Sequence, residues 1–117
     1  MRNDKPNIIV ELTFKFALNI ISFTDILLKK GKSVIANQLL KSGTSIGANV
    51  REAQNAESKA DFIHKMKIAA KEVDETQYWL ELLKQSKGYP IDDELLVQIL
   101  SIQKVISKII STSKNSK

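Results

Sequence analysis

Two helical patterns meet at a single joint within residues 45–83, and that joint constrains the fold more than any other feature of the chain. Ser58 has the side chain of an N-cap residue, and Asp61 follows three positions later, where a carboxylate complements the free N–H groups and positive dipole end of a new helix. One helix is therefore expected to end near Ala56 and another to start at Lys59. From there Phe62, Met66, Ala69, Val73, Leu80 and Leu83 recur at heptad-like intervals, with Thr76 the one polar member of the seam. This third helix is predicted over about 59–87.

The other three helices follow from similar signals. Residues 7–29 carry two apolar stripes when projected at roughly 100° per residue. Ile8, Ile9, Leu12, Phe16, Ile20, Phe23, Ile26 and Leu27 form the first, while Val10, Phe14, Ala17, Leu18, Ile21 and Leu28 form the second, with Thr13 and Thr24 between them. A bundle helix needs only one stripe. The second is expected to be covered by another subunit or partner, with a broad flank of the same core as the competing reading.

A second helix over about 34–56 sets Ala36, Leu39, Leu40, Gly43, Ile46, Gly47 and Val50 on one face. Each glycine costs roughly 1 kcal/mol relative to alanine inside a helix, so Gly43 and Gly47 point to a closely approaching backbone. After the turn at Gly88 and Pro90, the acidic run Asp92, Asp93, Glu94 opens a fourth helix over about 93–111, with Leu95, Ile99, Ile102, Ile106 and Ile109 facing inward. The tail, about 113–117, has nothing to bury and is expected to be disordered.

Four helices on short connections give an all-α, antiparallel up-down-up-down four-helix bundle in one domain, 1–117, with an interlocked helical dimer as the runner-up. Four Gly and two Pro in 117 residues fit long helices and few turns. Glu11, Lys15 and Asp25 interrupt the apolar first helix, which argues against a membrane span there. The absence of cysteine excludes thiolate chemistry and disulfides, and a cytoplasmic address is expected.

Catalytic groups do not assemble. His64 is the only histidine, so a dimetal site that needs two carboxylate-x-x-His helices cannot be built within one chain, Ser-His-Asp hydrolysis has no ordered set of partners, and Asp61 beside His64 reads as a helix-start carboxylate. Glu72, Asp74, Glu75 and Glu81 intermix with lysines as a solvated helix face does. The expectation is no enzyme activity, no cofactor and no metal. Trp79 flanks the third helix's seam, a position suited to packing between helices or subunits rather than to base stacking.

The net charge is +5. In an antiparallel bundle Arg2, Lys5, Arg51, Lys59, Lys65, Lys104, Lys108, Lys114 and Lys117 gather toward the end carrying both termini, while acidic residues offset the lysines at the other end. Arg51, Lys59, Lys65, Lys104 and Lys108 are thus candidates to face nucleic-acid phosphate. The competing reading is solubility and dipole complementation. Val10, Phe14, Leu18, Ile21 and Trp79 are the candidate oligomer interface.

The run Ser45-Ile46-Gly47-Ala48-Asn49-Val50-Arg51-Glu52-Ala53, followed by Ala56-Glu57-Ser58, Asp61-Phe62-Ile63-His64-Lys65, Ala70-Lys71-Glu72, Glu75-Thr76 and Tyr78-Trp79-Leu80, resembles the bacterial four-helix-bundle family encoded in 23S rRNA intervening sequences. The resemblance extends over about 7–83, and the fourth helix matches only in pattern. It implies a homopentameric barrel, similar also to the accessory protein of diversity-generating retroelements, which engages a reverse transcriptase and nucleic acid through a basic surface. RNA or DNA and a reverse transcriptase are the partners it suggests.

Overall fold

The structure, a computed structural model, describes residues 7–116. Arg2, Lys5, Pro6 and Lys117 lie outside the described residues. The elements are α1 (Ile8–Lys29), α2 (Ser33–Ala53), α3 (Lys59–Gln85) and α4 (Asp93–Asn115). They form a rod of 51 × 22 × 21 Å. Each helix touches its two neighbours, α1 with α2 and α4, and α3 with α2 and α4, leaving the diagonal pairs apart. Cross-helix contacts fix the directions. Gly43 of α2 faces Ile20 of α1, Ser42 bonds Thr76 of α3, Lys84 pairs with Asp93 of α4, and Asn19 bonds Gln98, so neighbours run antiparallel all round.

The ends of the helices are set by local chemistry. Asn7 Oδ1 accepts from the Val10 N–H and caps α1, and its amide donates to Gln54 Oε1 at 2.8 Å, tying the start of α1 to the end of α2. At the other end, the Lys32 N–H returns to the Leu27 carbonyl and the Gly31 N–H to that of Leu28. This Schellman closure needs a left-handed residue, which Gly31 supplies at φ +77°. Ser58 Oγ accepts from the Asp61 N–H at 3.0 Å, and Asp61 Oδ2 accepts from the Glu57 N–H, so the joint read from the sequence is a near-reciprocal cap.

Three boundaries differ from the sequence expectation. α2 stops at Ala53 rather than Ala56, because Gln54, Asn55 and Ala56 bond three residues back in a tightening turn that frees Ser58 to adopt extended backbone. α3 stops at Gln85, where Ser86 is already extended, rather than at Lys87. α4 continues to Asn115, so the expected disordered tail is helical over residues 113–115. Its end is held by Lys59, whose ammonium donates to the Ser116 carbonyl, and by Lys114 near the negative end of the dipole.

The core stripe of α1 is Ile9, Thr13, Phe16, Ile20, Phe23 and Leu27, a strict alternation of four and three residues. Ile8 and Ile26, assigned from the sequence to this stripe, are instead exposed. Thr13 and Thr24 are buried in their place, because each hydroxyl donates to the carbonyl four residues back at 2.8 Å and leaves only a methyl for the core. Phe62 is half-buried, and the α3 seam proper begins at Met66.

In the middle of the rod Thr76 Oγ1 donates to Ser42 Oγ at 2.9 Å, and Ser42 Oγ donates to the Leu39 carbonyl. No buried side-chain polar atom among the described residues lacks a partner. α4 is long and apolar enough to cross a bilayer by composition alone, but its seam of Leu95, Ile99, Ile102 and Ile106 is fully enclosed by the bundle.

Candidate interaction surfaces

The outer face of α1 carries Phe14, Leu18 and Ile21 at 53%, 49% and 50% exposure. They stand in water because the heptad stripe already fills the core-facing third of the helix. Beside them Val10 is half-buried, packed against the core's edge. Close approach of α1 and α2 shapes this surface into a shallow groove between Val10, Phe14 and Ala17 on one wall and Thr44, Gly47 and Arg51 on the other. A Cβ on Gly47 would meet the Thr13 carbonyl oxygen at 3.3 Å, and one on Gly43 would meet Ile20 Cγ1 at 2.9 Å. Gly47 therefore does what the sequence suggested and faces the α1 backbone, whereas Gly43 makes room for the Ile20 side chain rather than for a backbone.

Trp79 does not join this face. It sits on α3, diagonal to α1, half-buried beside the core. Its indole Nε1 donates to Glu75 Oε2 at 3.3 Å, and the Tyr78 ring meets it edge-on at 5.1 Å between centroids. The five candidate interface residues thus fall on two separate sides of the bundle.

The candidate basic residues are also spread around the rod. Arg51 lies over the Phe14 ring, 5.8 Å from its centroid, so it belongs to the apolar face. Lys65 is ion-paired with Glu52 at 3.2 Å rather than with Asp61, which is occupied in the cap. Lys59 holds the end of α4. Lys104 and Lys108 are exposed on α4, diagonal to Arg51's helix, and form no ion pair among the described residues.

A basic pair absent from the sequence-based candidates lies on the α3–α4 side. Lys67 lies beside Lys114, and that close contact and the like charge hold the Lys67 ammonium below the ordinary lysine value of 10.5. The signal was accessible only through register: counting outward from the Lys84–Asp93 pair brings Lys67 and Lys114 within about one helical turn. At the opposite end, Lys29–Asp25 and Lys84–Asp93 are neutralised as pairs.

Among carboxylates, burial pushes Glu72 up, with nearby Glu75 adding to the shift and Lys41 opposing it. His64 is exposed on α3. Among the described residues no three His, Cys, Asp or Glu side chains gather as a metal could require.

A family model described as 23S rRNA-intervening sequence protein matches residues 5–112. The chain belongs to this family. The match takes in most of α4, beyond the segment in which individual residues carried the resemblance. A solved member from Bacteroides thetaiotaomicron VPI-5482, described as a protein with unknown function from the S23 ribosomal protein family, is 40% identical to the chain. It covers 87% of this chain and 97% of its own length, with a TM-score of 0.82. The family fold is therefore the one described above, and that relative's description assigns it no activity. Comparison with curated proteins gives no match.

Proposed function

We propose that this member of the 23S rRNA-intervening sequence family is a noncatalytic, self-associating bundle that serves as a nucleic-acid adaptor. The observation that carries the reading is the row Phe14, Leu18, Ile21, about half exposed on a helix whose other face already fills the core. Three large apolar side chains in a row are more than a soluble surface needs, and another copy of the chain would remove them from water. The family resemblance suggests five copies.

Assembly would multiply a weak basic surface. A net charge of +5 per chain, with Lys104 and Lys108 free of ion pairs among the described residues and Lys67 beside Lys114, supplies sites that repeat around a ring. The test is a salt series on the whole protein with RNA and single- and double-stranded DNA. Affinity is expected to fall steeply as salt rises, and the Lys104→Glu/Lys108→Glu variant is expected to weaken binding to all sequences alike. No binding at low salt would remove the nucleic-acid role.

A protein-interaction scaffold, such as an accessory subunit for a reverse transcriptase, is the second reading. It is favoured by the diversion of Arg51 onto Phe14 and of Lys65 onto Glu52, which thins the basic surface. It gains if self-association survives while nucleic-acid binding is absent.

A further inference from the structure

The groove between α1 and α2 has a volume of about 280 Å³, near the small end of the range for small-molecule sites. Gly47 sits against Thr13, so the antiparallel run of the two helices sets Arg51 beside Val10 at one end and Thr44 beside Ala17 at the other. Between those ends the groove is roughly 10 Å long, about two turns of helix.

Its chemistry is one-sided. The Thr13 hydroxyl donates to the Ile9 carbonyl at 2.8 Å and the Thr44 hydroxyl to the Leu40 carbonyl at 2.7 Å, so both hydroxyl donors on the walls are spent within their own helices. Val10, Phe14, Ala17 and Ala48 offer only carbon side chains. Arg51 is the exception. It lies over the Phe14 ring and forms no ion pair among the described residues, and no carboxylate lines the groove.

A ligand that satisfies this lining has an apolar tail and one anionic head. A planar carboxylate meets the guanidinium fork through two parallel hydrogen bonds, and an alkyl chain of medium length covers the remaining walls. A cationic head would be repelled by Arg51, and a short acid such as acetate would leave the walls in water.

We propose that the α1–α2 groove binds a medium-chain carboxylate, with Arg51 holding the head. Phe14 lines the groove and also belongs to the exposed row, so a bound carboxylate competes with a docked copy of the chain. The site stands on the groove alone, and only this effect on assembly rests on the self-association reading.

The test titrates octanoate, acetate and octylammonium at matched ionic strength into methyl-labelled full chain, as wild type and as Ile21→Glu, which charges the apolar row outside the groove. In Ile21→Glu, saturable NMR shifts of the Val10, Ala17 and Ala48 methyls are expected with octanoate, which should bind about tenfold tighter than either control. Two further variants are made in that background and checked for retained helix by circular dichroism. Arg51→Gln removes the cation, and Ala48→Leu fills the groove from an exposed position while keeping Arg51. Each is expected to weaken octanoate binding about tenfold. Octanoate is also expected to move the sedimentation mass of the wild type toward 13.1 kDa. If octylammonium binds as tightly as octanoate, or if Arg51→Gln or Ala48→Leu binds octanoate as tightly as the parent, the site is overturned whatever the mass. An associated wild type whose mass octanoate leaves unchanged would overturn the competition. Specific binding by a wild type that is already monomeric would uphold the site and overturn self-association alone.

Discussion

The Arg51 guanidinium lies 5.8 Å from the centroid of the Phe14 ring, so a candidate phosphate-binding cation and a candidate interface aromatic form one surface. Exposed cation–π contacts contribute about 0.5–1 kcal/mol. Arg51→Ala is expected to change the urea-unfolding stability of the fold by no more than about 1 kcal/mol, and to shift self-association to several-fold higher protein concentration. Unfolding curves and concentration-dependent sedimentation on the same samples check the two halves. A variant that loses nucleic-acid affinity with unaltered association would assign Arg51 to phosphate instead.

Ser42 and Thr76 couple α2 to α3 through one buried hydroxyl pair. Thr76→Val and Ser42→Ala are each expected to destabilise the fold by about 1 kcal/mol, since a net buried hydrogen bond is of that size. The double variant is expected to lose less than the sum, because no orphaned hydroxyl then remains. Urea unfolding of the four proteins in the cycle measures the coupling, and strict additivity would contradict it.

Gly43→Ala sets a gain in helix propensity of about 1 kcal/mol against a Cβ placed 2.9 Å from Ile20 Cγ1. Ile20 is completely buried and cannot swing away. Overpacking of this kind costs about 1–3 kcal/mol, so net destabilisation is expected. Gly47→Ala meets the Thr13 carbonyl oxygen at 3.3 Å, a milder encroachment, and is expected to be the better tolerated of the two. Thermal or urea unfolding of both variants decides the order.

Much of this fold can be read directly from residues, and the failures share a cause. The Ser58 cap, the α3 seam and the four helices follow from local rules that act within one or two turns. Ile8 and Ile26 were misplaced because projection weighs apolar character alone, whereas Thr13 and Thr24 become core residues once their hydroxyls bond the preceding turn. The candidate surfaces were less legible. Trp79 and Phe14 were grouped although they sit on diagonal helices, and Lys67 was overlooked although it adjoins Lys114. Both depend on the register between helices, which no single-helix pattern contains.

The Lys67–Lys114 pair makes a pH prediction. A lysine whose pKa is lower folded than unfolded binds fewer protons in the folded state between those two values. Stability therefore rises with pH through that window, up to about 10.5, as the repulsion is relieved. Lys114→Gln is expected to return the Lys67 pKa toward 10.5 and to flatten this rise. NMR titration of the lysine side-chain carbons reads the first effect, and unfolding measured across alkaline pH reads the second. An unmoved Lys67 titration would show that another group holds it down.

Self-association is tested most directly by the mass of the untagged wild-type protein in solution at micromolar concentration. Sedimentation equilibrium is expected to give an integral multiple of 13.1 kDa, collapsing toward 13.1 kDa in Phe14→Glu/Ile21→Glu with helical content retained. A wild-type mass of 13.1 kDa throughout the micromolar range would contradict the account.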